Sequence, residues 1–215
     1  METNLVFLLI SLILGWLLGI LSPLIVDRVR RRYQIDDVKR GILTELKDAR
    51  SRLTMSAYQL AVRLGKMDHN LLTWFASALQ EYQGTELTED ALKVIELQLK
   101  LTDEQLSALA HQVKFKPGES ISLKTFAVPF LDANMNLLSL FPIDFQIRIH
   151  EIRAQLSLLN QEIDQSATLF WKTFDSGITE ENQLVIRNNV YSKYQAIEGA
   201  SRRLADKITN LVPNS

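Results

Sequence analysis

Apolar residues fall along this chain in two regimes: one unbroken run near the N-terminus, and stripes at helical spacing after it. The run extends from Leu5 to Val26, 22 residues without an ionisable side chain. At about 1.5 Å of helical rise per residue it reaches roughly 33 Å, enough to cross a hydrocarbon core about 30 Å thick. This predicts a single transmembrane helix. It is followed at once by Arg28, Arg30, Arg31 and Arg32, whereas Met1 to Asn4 carry no Lys or Arg and only one acid, Glu2. Arginines beside a span are retained on the cytoplasmic face, so the expected orientation is N-terminus out and C-terminal domain in. A cleaved signal peptide is the rival reading. It calls for an apolar core of about 7 to 15 residues, a preceding positive charge and a small-x-small cleavage site, and all three are missing.

Inside the run, Ser11, Gly15, Gly19 and Ser22 are spaced by four, four and three and so share one face of a helix. Small residues let two backbones approach closely in lipid, where packing and interhelical hydrogen bonds drive association. The stripe is therefore the expected contact of a homo-oligomer, set against the plain fact that glycine is common in membrane helices. Trp16 sits near the expected bilayer midplane and Pro23 near the cytoplasmic end. An indole N–H at that depth favours a protein neighbour, and a proline frees one carbonyl, but membrane helices also tolerate both without consequence. A lone helix with no buried charge is not expected to conduct ions.

The second regime begins with Ile35, Val38, Ile42, Leu46, Ala49, Leu53, Ala57, Leu60 and Leu64, spaced three, four, four in repetition. That period is about 3.67 residues per turn, close to a straight helix, and Gly65 is the expected stop. The basic residues on its opposite side, with Lys39 and Arg40 after the four arginines, can lie near anionic lipid headgroups. Asp27, Asp36 and Asp37 dilute that charge, which also fits a topology signal on a solvated helix face. Shorter helices are then expected over Asn70–Tyr82, stopped by Gly84, and from Thr88 as N-cap to Leu101. Thr102 and Gln105 have capping-box spacing for a helix reaching Val113, with a turn at Lys116, Pro117 and Gly118.

Phe126 to Phe145 is the most apolar stretch after the N-terminal run, interrupted by Asp132, Asn134 and Asn136 and cut by Pro129 and Pro142. The prolines leave a piece too short to span a membrane, so a core-forming helix is expected in preference to a membrane-dipping hairpin. Pro142 suits a first helical position, and behind it run Phe145, Ile149, Ile152, Leu156, Leu159, Ile163, Ala167, Phe170 and Phe174, ended by Gly177. Thr179 then caps a helix with Ile186, Val190, Tyr194, Ile197, Ser201, Leu204, Ile208 and Leu211 on one face. A short connection makes the two antiparallel neighbours. The expected class is all-α: a single N-terminal transmembrane helix followed by a cytoplasmic helical bundle with long antiparallel helices. Its parts are a signal anchor over 1–27, a juxtamembrane basic amphipathic helix over 28–66 and a helical domain over 67–215.

Composition narrows the function mainly by exclusion. All 24 Lys and Arg and 24 of the 25 acids follow the run, so the remainder is formally neutral and lacks the clustered cationic face of a nucleic-acid binder. Without cysteine there is no disulfide framework and no thiolate chemistry. His69, His111 and His150 lie on three separate segments, with no second histidine one turn away, so no metal site is expected. The glycines at 41, 65, 84, 118, 177 and 199 form no phosphate-cradling loop. His150, Glu151 and Arg153 are a dense polar triplet, but none belongs to the apolar stripe and neighbouring helix residues point about 100° apart. A solvated face is the expected reading. Asn160, beside the stripe, either fixes helix register or sits at the rim.

No catalytic, cofactor-binding or metal-binding residue is therefore expected, and the chain reads as non-enzymatic. Its expected place is a membrane, with the compact cysteine-free design suggesting a bacterial inner membrane. Its expected partners are membrane lipid, a second copy of itself and a further unidentified protein. The leading reading is an oligomerising interaction or scaffold module at the cytoplasmic membrane face. An oligomeric membrane effector that senses a signal and perturbs the bilayer is the second, and a tethered enzyme with scattered site residues the third.

Overall fold

In the computed structural model α1 extends from Glu2 to Arg63, 62 residues in one helix, so the helix that carries the apolar run is also a helix of the core. The structure describes residues 2–80, 86–116, 119–175 and 177–212, without the side chains of 2–11, 13, 17, 18, 20–25 and 86–89. The stripe from Val38 to Leu64 is buried at every expected position, most of it completely. α1 ends as its sequence requires. Gly65 adopts a positive φ of 76°, and the N–H groups of Gly65 and Lys66 donate to Val62 and Ala61 carbonyls, the bonding of a glycine-terminated helix.

The remaining elements are α2 (His69–Gln80), α3 (Glu86–Gln98), α4 (Asp103–Val113), α5 (Pro129–Ala133), a 3₁₀ turn (Met135–Leu140), α6 (Ile143–Lys172) and α7 (Glu180–Thr209). Among the described residues there is no strand, and the fold class is all-α. Lys66 pairs with Glu198 at 3.1 Å and Arg50 donates to Thr209 at 3.3 Å, so α7 runs antiparallel to α1. Lys193 with Glu162 and Lys207 with Glu151 set α6 antiparallel to α7. These three helices enclose the main core. α2, α3 and α4 form a side lobe around Phe75, which stacks on Tyr58 of α1 with ring centroids 4.0 Å apart.

Several local expectations are corrected. Thr88 lies inside α3, which already begins at Glu86; the stop expected at Gly84 and the turn at Pro117 and Gly118 fall outside the described residues. Thr102 and Gln105 do form the capping box, each side chain bonding the other's backbone. α6 ends at Lys172, short of Gly177, because Thr173 turns back and its hydroxyl donates to the Phe170 carbonyl at 2.6 Å. Ala167 and Phe174 lie outside the core, and Ser166 takes the buried place. Pro142 is the N-cap residue of α6 and Thr179 caps α7, accepting from the Asn182 N–H.

Phe126 to Phe145 does line the core, through Phe126, Leu131, Leu138 and Phe141, but as short pieces and not one helix. Residues 119–128 form an extended strap across the bundle, held by side chains from three helices. Tyr194 exchanges hydrogen bonds with the Ile121 backbone, Arg52 donates to the Ala127 carbonyl, and the Asn160 amide accepts from the Phe126 N–H at 2.8 Å and donates to its carbonyl at 3.0 Å. Asn160 therefore fixes the strap, not the helix register. At the strap's end Glu45 of α1 accepts the N–H groups of Phe130 and Leu131 at 2.8 and 2.7 Å, serving as the N-cap that α5 lacks locally. Gly41 makes the same junction possible, because a Cβ there would overlap the Phe130 ring.

Replacing Asn160 with leucine leaves both backbone groups of buried Phe126 without their partner. The expected loss is about 2 kcal/mol, within the usual range for orphaned buried groups. A urea midpoint unchanged from the parent chain would show that the strap does not depend on this side chain.

Candidate functional site

Gly15 and Gly19 lie on α1 with open space where a side chain would stand, and Leu12, Leu14 and Trp16 beside them are exposed. The side chains of Ser11 and Ser22 fall outside the description, as does most of the run 5–26. Among the described residues, no helix is long and apolar enough to cross a membrane. The backbone stays helical without interruption through position 23. Arg28, Arg30, Arg31 and Arg32 follow with exposed side chains, and Arg40 pairs with Asp37, one of the three acids expected to dilute this basic face.

Several polar groups elsewhere are taken up by each other. His150 is exposed, Glu151 binds Lys207 and Arg153 binds Asp132 at 2.6 Å, which resolves that triplet into an exposed histidine and two interhelical ties. His69 meets Asp103 at 2.9 Å near the start of α4. A groove between α2 and α7 holds Lys66, Glu198, Trp74 and Arg202. There Lys66 binds Glu198, the Trp74 indole donates to Asp206 at 2.8 Å, and the Arg202 guanidinium lies 4.8 Å from the Trp74 ring centre. Such a closed network fastens helices. Among the described residues no group of three potential metal ligands comes together.

The end of the bundle where α1 stops is different. Tyr191 donates to the Leu64 carbonyl at 3.4 Å, which marks the level at which α1 gives out. The turns of α7 before Tyr191 continue beyond it by about 15 Å at helical rise, with the end of α6 beside them. This hairpin tip exposes Trp171 (69%), Phe174 (65%), Leu184 (59%) and Val185 (52%). Phe170, Trp171 and Phe174 pack ring against ring with centroids 5.2 to 6.0 Å apart, which holds the patch together. Helical periodicity put Phe170 and Phe174 on the core stripe of one helix, but α6 ends at Lys172, before Phe174, and Phe170 is only half-buried.

Below the tip lies an open cleft of about 240 Å³ with Phe115, Tyr191, Tyr194 and Phe170 among its walls. Phe115 stacks on Tyr194 at 5.5 Å, meets the edge of Tyr191 at 6.3 Å, and carries the Arg63 guanidinium 5.3 Å from its ring centre. No sign of this cleft is visible in the sequence, because its residues come from three separate segments. The Phe115 N–H donates to the Arg63 carbonyl at 2.8 Å, fixing the ring where α1 ends.

Burial raises the phenol pKa of Tyr194 above its ordinary 10.0, against the lowering effect of hydrogen bonds to Ile121 and Ser120. Tyr58 is raised likewise by burial, opposed by its bond to Gln98. The folded chain thus keeps these protons to higher pH than the unfolded chain does. Their stabilisation is whole below pH 10.0 and is lost as pH rises through that value toward the folded pKa. Tyr194→Phe is expected to flatten this alkaline fall, measured as the urea midpoint on either side of pH 10.0. An identical slope in the variant would contradict it.

Compared with known families, curated proteins and solved structures, the chain has no significant match.

Proposed function

We propose that this chain is a single-pass, membrane-anchored helical protein acting non-enzymatically as an oligomerising interaction module. In this reading it stands at the cytoplasmic face of what is expected to be a bacterial inner membrane. The observation that carries the reading is α1. One uninterrupted helix holds the apolar run at one end and a fully buried core stripe at the other. Anchor and bundle are then a single mechanical piece, and the apolar hairpin tip is presented about 55 Å beyond Val26 or farther, counted along α1 at helical rise.

Open space over Gly15 and Gly19 supports pairing through the small-residue face with a second copy, with Ser11 and Ser22 completing the stripe. The arginines at 28, 30, 31 and 32 supply topology and contact with anionic lipid. An exposed aromatic patch at the other end suits a protein partner, since surface clusters of Trp and Phe are where binding energy concentrates. The experiment is resonance energy transfer between labelled full-length chains in liposomes. Gly15→Ile combined with Gly19→Ile is expected to lower transfer to the level of unpaired chains; undiminished transfer would refute pairing through this face.

The unbroken α1 also favours one second reading, an oligomeric membrane effector. A rearrangement in the bundle would be carried directly into the anchor. Over-production would then depolarise cells, and the same double substitution would relieve it.

A further inference from the structure

We infer that the cleft at the end of α1 is a binding site for a small planar aromatic anion. The inference is independent of the membrane anchor, resting only on the cleft between α4, α6 and α7. Its volume of about 240 Å³ exceeds the roughly 150 Å³ cavity that accepts a benzene ring, and leaves room for one ring or a fused pair. The aromatic side chains lining it, Phe115, Tyr191, Tyr194 and Phe170, present faces and edges of the kind on which another ring packs favourably.

The charge at the mouth sets the sign of the ligand. Lys116 and Arg187 line the cleft, are exposed, and have no ion pair among the described residues. The one acid among the described lining residues, Glu119, lies 3.8 Å from the Arg63 guanidinium and accepts the Lys116 backbone N–H at 3.2 Å. Its charge is therefore shared with Arg63, leaving Lys116 and Arg187 as the exposed cations of the lining. The tyrosine hydroxyls are occupied by Leu64 and Ile121, so recognition of the ring is by packing and recognition of the anion by Lys116 and Arg187. A guanidinium meets a carboxylate or phosphate with paired hydrogen bonds, and both kinds of anion fit this chemistry. The contrast with the groove between α2 and α7 is direct, since cations there are already bound to Glu198 or to an aromatic face.

The test is ligand-observed nuclear magnetic resonance on the full chain in nanodiscs, using salicylate and adenosine monophosphate with salicylamide and adenosine as uncharged counterparts. At least one anion is expected to bind at least tenfold more tightly than its counterpart. Salicylate binding would identify an aromatic carboxylate as the source chemistry, and adenosine monophosphate binding a nucleotide. Arg187→Glu, at an exposed position that leaves the fold intact, is expected to weaken binding at least tenfold. Leu158→Ser, at an exposed position of α6 outside the cleft, is expected to leave it unchanged. Failure of both anions to bind, equal binding of charged and uncharged forms, or indifference to Arg187→Glu would each overturn the inference.

Discussion

Leu53→Ala is expected to remove about 2–5 kcal/mol of folding stability, the usual cost of emptying a leucine site in a packed core. Leu53 is fully buried in the middle of the α1 stripe, within the cluster shared by α1, α6 and α7. Domains of this size are stable by about 5–15 kcal/mol, so a single such truncation takes a large fraction of the whole. Met55, two residues away on the exposed side of the same helix, provides the control. Met55→Ala should change stability by no more than about 0.5 kcal/mol. Urea unfolding of both variants checks the contrast. Equal midpoints would mean that α1 is not a core helix.

The second large effect concerns the other end of α1. Leu12→Arg together with Leu14→Arg places two guanidiniums near the centre of the apolar run, at about 2.5–3.5 kcal/mol each on insertion scales. Membrane retention is expected to collapse, read as release into the supernatant on alkaline carbonate extraction, whereas the parent chain stays in the pellet. Val38, where the buried stripe begins, is more than twenty residues away, so the bundle should keep its urea midpoint. Retention of the double variant in the pellet would show that the run is not what holds the protein in the membrane.

Each region of this fold was legible in the sequence to the extent that a single water-facing boundary governs it. The stripes of α1 from Val38 and of α7 from Val190 were readable, because there one face of each meets the core and the burial pattern follows the 3.6 period, while Ile35, Ile186 and Leu211 at their ends are only half-buried. Caps read equally well at Gly65, Thr102 and Thr179, where the deciding hydrogen bonds are local. The strap over 119–128 was not read, since its backbone partners are Tyr194, Asn160 and Arg52, placed by the tertiary fold. One faint signal existed: Ile121 and Leu123, then Phe126 and Val128, alternate as an extended segment does. Glu45 likewise carries no local mark of its role, since only the approach of α5 makes it a cap.

The candidate site was less legible than the fold for the same reason. Phe115, Phe170, Tyr191 and Tyr194 meet only because α1 stops at Gly65 while α7 continues past it. Nothing in the spacing of any one segment encodes that difference in length. Phe170 and Phe174 have helical spacing that reads as core, and their exposed surroundings follow from the missing third helix.

Hydrogen–deuterium exchange of the full chain in nanodiscs, followed from residue 5 to residue 64, tests most directly the claim that anchor and core share one continuous helix. Residues 5–26 should be protected by the bilayer, 38–64 by the core, and 27–37 by helical hydrogen bonding, with no freely exchanging gap between them. Free exchange across 5–26, or a fully unprotected break between 27 and 37, would contradict it.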